Sequence, residues 1–500
     1  MLTASLVFYG ISGLRYLAYI LTTILSAYAC GLKLDKLHRE QEAYLSANKD
    51  ILTKDGKKRY KAANKRSRIK WAAACMLVNF AILAVIKYVG FAILNINALI
   101  KLAGGTEEIA FFRFALPLGV SFYTFQTMGY IIDVYRGKHP AEKNPLKLAL
   151  FTSFFPQVIQ GPISRFSDLS ETLFSDRRIS VKDVSYGLQR VLFGFFKKLV
   201  IADRLLIAVR TITGNPGEYR GAFALAASLL YAVTLYADFT GGIDITIGIA
   251  EALGIKIKEN FNRPFYAVST ADYWRRWHIT MGTWFRDYLF YPISVSKPML
   301  RLAMRARSSL GENFGKRAPV YLSTLVVWFA TGVWHGAAWN FVVWGLLNGF
   351  ILIISEELTP LFKKFHSSFR IGRTPVYRAF QIARTFFLMS LIRTLDIYDS
   401  VGTTFKMMWS AIVHLELNRF VNGGLTRVGL TTADYIVAFL GVALLIVVGR
   451  IQKTTDIRDR LTRRAAPLRY GVWLAMVLTI IVFGVYGTGY DAKQFIYNRF

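Results

Sequence analysis

VYLSTLVVWFATGVWHGAAWNFVVWGLLNGFILIIS, residues 320–355, runs for 36 positions without an Asp, Glu, Lys or Arg. A transmembrane helix needs about 20 apolar residues, so the run is too long for one straight crossing. Its flanks are basic: residues 297–317 hold six Lys and Arg, and residues 363–384 hold another six. Cytoplasmic loops attract Lys and Arg, which places both flanks on one side. The chain must therefore enter and return through a broken, doubled-back or re-entrant path. Backbone of that kind is tolerated at membrane depth only where it is buried in protein or lines a cavity.

The same alternation of apolar runs and basic blocks extends along the chain. Of its 500 residues 54% are hydrophobic, and 62 Lys and Arg against 31 Asp and Glu give a formal charge of +31. Length alone suggests about three globular domains, but the clustering of apolar residues overrides that expectation. Disorder is excluded by the abundance of large apolar side chains. A soluble nucleic-acid binder would account for the charge and not for the apolar runs. Apolar segments fall near 4–30, 71–100, 111–135, 148–163, 184–209, 221–254, 278–295, 318–355, 376–398, 432–449 and 468–487, giving eight to eleven crossings. Strand-type alternation is absent at scale, so the expected class is all-α and not a barrel. No internal repeat is visible, which weakens an inverted-repeat transporter.

Five basic blocks (33–70, 136–147, 297–317, 363–384 and 450–469) hold 36 of the 62 Lys and Arg and are assigned to the cytoplasmic side. They serve as topology anchors, with membrane-lipid headgroups as natural contacts; no nucleic-acid partner is expected. The block at 33–70 forms a basic cytoplasmic loop, and parity puts the tail at about 490–500 outside. The chain reads as a single multi-pass domain, residues 1–500, in the cytoplasmic membrane of the cell. Residues 6–30 exceed a signal-peptide core and lack a clear cleavage site, so they read as a retained helix. Cys30 and Cys75 suggest neither a disulfide framework nor a thiolate metal site.

Chemistry-bearing residues stand out against this background. His335 occupies the middle of the longest uncharged stretch, in Gly332-Val333-Trp334-His335-Gly336-Ala337-Ala338-Trp339-Asn340. An ionisable group there is costly, and imidazole exchanges a proton near neutral pH; the competing reading is a packing histidine bonded to a carbonyl. Gly332 and Gly336 would allow close approach of a helix or a substrate. A second cluster is Tyr273-Trp274-Arg275-Arg276-Trp277-His278, followed by Trp284-Phe285-Arg286-Asp287-Tyr288. Its arginines and tryptophans fit interfacial anchors, which explains His278 less well. On a continuous helix, His278, Phe285 and Leu289 would share one face. Asp238 and Asp244 lie beside apolar sequence and are expected to pair with arginines or a histidine, in a structural or a catalytic role. Motifs for phosphate loops, dinucleotides, zinc proteolysis, C-x-x-C and the G-x-S-x-G elbow are absent; no metal site is expected.

Taken together, several stretches resemble the membrane-bound O-acyltransferases, in particular the bacterial alginate O-acetyltransferase type. They are Leu116-Pro117-Leu118-Gly119-Val120-Ser121-Phe122-Tyr123-Thr124-Phe125-Gln126, Asp133-Val134-Tyr135-Arg136-Gly137, Phe155-Pro156-Gln157 and Gly161-Pro162-Ile163. Tyr236-Ala237-Asp238-Phe239, Asn260-Phe261-Asn262-Arg263-Pro264-Phe265 and the two Trp-His clusters complete the set. The resemblance begins near Leu6. Chains of this kind usually carry one further hydrophobic helix before that point, and the basic stretch from Ala43 to Lys70 is longer here than usual.

The resemblance implies a many-helix bundle with a central tunnel and re-entrant or broken helices. It implies O-acetylation of a cell-envelope or exported polysaccharide, with acetyl-CoA as the expected cytoplasmic donor and no bound cofactor. An extracytoplasmic SGNH-like acetyltransferase is the implied partner. His335 matches the family's invariant histidine and His278 the second, assisting position; Asp238, Asp244, Trp274, Arg276, Trp334, Trp339 and Asn340 are expected to support the tunnel. The ending Phe495-Ile496-Tyr497-Asn498-Arg499-Phe500 resembles tails in which a tyrosine relays the acyl group, against an interfacial anchor as the plainer role of Tyr497. Two rival readings are D-alanyl transfer to teichoic acid from a carrier protein, and a transporter or flippase for a lipid-linked saccharide that uses the buried ionisable groups as a proton path.

Overall fold

The computed structural model describes residues 1–112, 114, 117–176, 178–369 and 374–486, with the side chain of residue 420 left aside. Among the described residues the chain is helical and contains no strand. Among the described residues, six helices are long and apolar enough to cross a membrane: those containing Leu14–Ala47, Lys54–Leu102, Ala222–Ala252, Trp339–Glu357, Thr432–Ile451 and Ala466–Phe483. This is a multi-pass membrane protein. Other apolar stretches of the sequence also fold as helices but fall short of that criterion. The 111–135 stretch yields a helix of only 16 residues, and the helices drawn from 184–209 and 376–398 carry Lys, Arg or Asp.

The chain divides into two compact units. The first comprises Met1–Arg178 and Gly254–Lys258. Its frame is α1 (Leu17–Ala47), α2 (Lys54–Leu102) and α3 (Val120–Tyr135). The Thr53 hydroxyl accepts from the Gly56 N–H and starts α2, with Asp55 in the first turn. With 49 residues α2 is about 73 Å long at 1.5 Å per residue, more than twice the roughly 30 Å hydrocarbon core. Its basic first third therefore extends beyond the apolar part, paired with the end of α1 through stacked Tyr44 and Tyr60 rings at 3.9 Å.

The second unit comprises Ile179–Leu253 and Glu259–Phe500. Its centre is the crossing of α4 (Val181–Phe195) with α5 (Ala222–Ala252). Glycines seven apart on each helix face one another: an added Cβ at Gly187 would lie 2.4 Å from the Gly248 carbonyl oxygen, and one at Gly194 would lie 2.6 Å from that of Gly241. Only bare backbone permits so close an approach. The crossing holds buried charges in pairs. Asp244 meets Arg190 at 3.0 Å and Lys197 at 2.5 Å. Lys198, in the π-helical turn Phe196–Ala202 that follows α4, meets Asp238 at 2.6 Å and Asp203 at 2.7 Å. These pairs join the carboxylates to lysines and an arginine.

After α5 come the short helices α6 (Thr270–Arg276) and α7 (Ile279–Phe285), then α8 (Glu312–His335), α9 (Trp339–Glu357), α10 (Pro375–Arg393), α11 (Thr432–Ile451) and α12 (Ala466–Phe483). The long uncharged run breaks at residues 336–338. Leu325 and Trp328 lie against Gly349, Trp328 against Gly345, and Gly332 against Phe341, so α8 and α9 form an antiparallel hairpin. A Cβ at Gly345 would sit 2.3 Å from the Trp328 carbonyl oxygen, and one at Gly336 2.2 Å from the Phe341 ring. The two glycines singled out from the sequence serve this close packing.

Candidate active site

The hairpin delivers His335 as the last residue of α8, directly before the break. Its side chain is buried, with its ring 4.6 Å from Trp344 and 5.1 Å from Trp334, both edge-on. Trp334 is also 5.9 Å from the His278 ring. The two histidines, 57 positions apart in sequence, therefore flank one indole.

His278 is held differently. It sits between α6 and α7 with φ at +47°, a conformation uncommon outside glycine that points to a local constraint. Arg263, in the segment paired with it, has the same φ. The His278–Phe285–Leu289 face expected from the sequence does not form, because His278 precedes the helix and a π-helical turn at Arg286–Phe290 shifts the register. Instead residues 260–262 run alongside the 276–280 turn: the Ile279 N–H donates to the Asn260 carbonyl and the Asn262 N–H to the Arg276 carbonyl, both at 2.9 Å. The fully buried Asn260 side chain makes the decisive contacts. Its Oδ1 accepts from the Thr280 N–H at 3.1 Å and the Thr280 hydroxyl at 2.9 Å, and lies 3.2 Å from His278 Nδ1. A backbone N–H can only donate, so that Asn atom is the oxygen. His278 Nδ1 must then carry hydrogen, which leaves Nε2 as the basic nitrogen of the neutral ring.

The supporting residues take different places. Trp274 Nε1 donates to Asn348 Oδ1 at 3.2 Å, and its ring lies 5.7 Å from Trp344, so it belongs to the histidine cluster. Asn340 Nδ2 donates to the Tyr398 carbonyl at 2.6 Å and anchors the start of α9. Arg276 binds Asp272 at 3.0 Å beside the His278 turn, whereas Trp339 is largely exposed. Asp238 and Asp244 belong to the α4–α5 charge cluster. Tyr497 lies outside the described residues.

Sequence reading quoted Asn260 only as part of the Asn260–Phe265 stretch, with no role of its own, and did not single out Trp344, Arg393 or Asp396. Arg393 and Asp396 form a buried ion pair at 3.1 Å inside a stretch read as apolar. The Arg393 guanidinium lies 5.0 Å from the Trp277 ring, 5.0 Å from Trp344 and 5.5 Å from Trp274. Two opposite charges three positions apart inside an apolar segment were the available signal.

A cavity of about 610 Å3 opens within the second unit, lined by residues of α4, α5, α11 and α12 together with Phe261 and Ile279. Asp244, Arg190 and Lys197 form its polar wall, and Gln452, Asp456, Arg458 and Leu461 line it as well. Neither histidine lines the cavity, but Ile279 directly follows His278, and the Phe239 ring meets both Phe261 (4.9 Å) and His278 (5.0 Å) edge-on. At its rim, burial pushes the Asp456 carboxyl up, but Arg458 holds it below the usual carboxylate range. Arg458 does so through its backbone N–H at 2.8 Å and its guanidinium at 2.9 Å. Among the described residues no group of three or more His, Cys, Asp or Glu is placed to hold a metal ion.

The family model of the membrane-bound O-acyltransferases matches residues 138–305 and 307–398, more than half of the chain and both histidines. The chain belongs to the membrane-bound O-acyltransferase family. It is 36% identical over 293 residues to a protein of Azotobacter vinelandii named probable alginate O-acetylase, covering 59% of this chain and 55% of that one. Identity to the peptidoglycan O-acetyltransferase of Helicobacter pylori is 30% over 390 residues, covering 73% and 65%. The teichoic acid D-alanyltransferase of Bacillus subtilis is more distant, at 27% over 260 residues, covering 50% and 61%. The chain spans about half the length of the alginate O-acetylases it matches.

Proposed function

We propose that this protein transfers an acetyl group from acetyl-CoA at the cytoplasmic face to a hydroxyl destined for O-acetylation of a cell-envelope or exported polysaccharide. The observation that carries the reading is the pair of buried histidines on either side of Trp334, one with its tautomer set by Asn260. A hydroxyl is a poor nucleophile until a base takes its proton. In the proposed step His335 accepts that proton as the oxygen attacks the thioester carbonyl. The C–O bond forms, the C–S bond breaks, and the proton passes from the imidazole to the departing thiolate. Neutral His278, with hydrogen on Nδ1, presents an acceptor at Nε2 and cannot donate there to an oxyanion; its role is to orient the hydroxyl or share its proton. A dry site limits wasteful hydrolysis of the donor.

The donor route follows from the cavity. Gln452, Asp456, Arg458 and Leu461 belong to the 450–469 basic block assigned inside, and Phe261 and Ile279 approach the His278 turn. A volume of about 610 Å3 suits a small-molecule ligand, for which pockets span roughly 300–1,000 Å3. The alginate and peptidoglycan acetylating relatives support acetyl over D-alanyl. In this reading the protein sits in the cytoplasmic membrane and hands the acetyl group, through Tyr497 or directly, to an SGNH-like acetyltransferase outside. Changing Tyr497 to Phe separates the roles of that residue: an interfacial anchor tolerates it, whereas a relay loses activity. The overall test is the envelope O-acetyl ester of a deletion strain. It should fall and be restored by the wild-type chain but not by His335→Ala; unchanged ester in the deletion strain overturns the proposal.

A further inference from the structure

Arg393 is a fully charged side chain enclosed by the protein, 4% exposed as a residue, at the end of α10. Three indoles surround it, and two of them adjoin the histidines. Trp277, at 5.0 Å, is the residue immediately before His278; Trp344, at 5.0 Å, packs 4.6 Å from the His335 ring. Trp277 is backed in turn by Tyr273, stacked at 5.5 Å with an angle of 14°. Asp396 grips the guanidinium from the next turn at 3.1 Å and is itself buried.

A pair that served only to neutralise itself would be replaceable by apolar side chains of similar volume with little loss. This guanidinium does more: it touches an aromatic neighbour of each histidine, and these neighbours come from two separate segments, the 274–278 turn and the α9 arm of the hairpin. A planar guanidinium packs flat against aromatic faces, which the compact ammonium of lysine does not. We propose that Arg393 is a positioning residue that fixes the spacing between His278 and His335 by packing against Trp277 and Trp344, with Asp396 holding its orientation. The proposal rests on the acyl-transfer reading for its consequence in turnover, but the spacing itself is measurable without turnover.

The test uses the full chain in membrane vesicles. The neutral double variant Arg393→Met with Asp396→Asn removes both charges, so that no lone ion is left buried, and Arg393→Lys keeps the charge while losing the planar group. Three readouts are taken: the thermal midpoint, CoA release as a function of acetyl-CoA concentration, and the cross-linking rate of a short bis-maleimide between cysteines introduced as His278→Cys and His335→Cys, with and without the Arg393 changes. Expected are a thermal midpoint close to wild type for the double variant and for Arg393→Lys, a fall in kcat of tenfold or more at nearly constant KM, and slower cross-linking. Wild-type kcat and cross-linking in the double variant overturn the proposal, as does full recovery of both by Arg393→Lys. If the double variant does not fold, Arg393→Lys decides alone. If the unaltered chain releases no CoA while Arg393→Lys still slows cross-linking, the function reading fails and the positioning role stands.

Discussion

The Asn260 side chain offers the sharpest test of how the site is held. Its Oδ1 accepts from the Thr280 N–H, the Thr280 hydroxyl and His278 Nδ1, all in a fully buried setting. Asn260→Ala deletes that acceptor. The Thr280 hydroxyl can turn elsewhere, but the Thr280 N–H and the imidazole N–H lose a fixed partner, and each buried unsatisfied donor costs about 1–3 kcal/mol. A loss of stability of about 2–6 kcal/mol follows for the two donors, together with loss of the constraint that places hydrogen on Nδ1. Removal of a positioned acid–base group costs roughly 10²–10⁴ in rate, and a freed tautomer should cost about 10²-fold. Asn260→Asp supplies an oxygen in the same place and should recover most of the stability. The assays are thermal unfolding of the purified full chain and O-acetyl ester formed in membrane vesicles. Unchanged midpoint and unchanged ester formation in Asn260→Ala would refute the argument that Asn260 sets the ring.

The remaining predictions concern packing and charge. Gly345→Leu should open the α8–α9 hairpin, because its first carbon already meets the Trp328 carbonyl at 2.3 Å. Overpacking of this kind costs about 1–3 kcal/mol, and a normal midpoint would contradict the close approach. Asp244→Asn leaves Arg190 and Lys197 without their shared carboxylate, and breaking a buried pair costs about 3–5 kcal/mol. Changing Lys197 to Met at the same time should return part of that loss, and no return would mean that the cluster is not coupled. The Asp456 carboxyl has a depressed folded value, so its stabilisation is present above the unfolded value of about 4 and is lost as pH falls through the folded value. The midpoint gap between wild type and Asp456→Asn should therefore be open at pH 7 and close below about pH 4; a gap that does not change with pH contradicts the Arg458 pairing.

Much of this arrangement was legible in the sequence. That the uncharged run is broken or doubled back followed from the basic blocks on both its flanks, and the glycines at 332 and 336 marked close packing; that the break falls directly after His335 did not. The pairing of Asp238 and Asp244 was foreseen as a need, since an unpaired carboxylate in apolar surroundings is too costly. Their partners were not, because Arg190 and Lys197 arrive from another helix across a crossing that only the glycines at 187, 194, 241 and 248 permit. Asn260 stood in a quoted motif, but its role was missed because its contact with His278 depends on a left-handed backbone at position 278, where pattern reading assumed continuous helix. The π-helical turn at Arg286–Phe290 defeated the same assumption. Arg393 and Asp396 were hidden by averaging: with Arg378 and Arg384 they are the four charges of the 376–398 segment, which is still apolar on average, yet these two occupy its most buried end.

The central claim is that His335 serves an acyl transfer from a cytoplasmic thioester. It is tested most directly in inside-out membrane vesicles given acetyl-CoA labelled in the acetyl group, with alkali-labile O-acetyl ester on the glycan fraction as the readout. Vesicles carrying the wild-type chain should form labelled ester. Vesicles carrying His335→Ala at the same membrane level should form none above the deletion-strain background. Labelled ester at the wild-type rate in the His335→Ala vesicles would contradict the account.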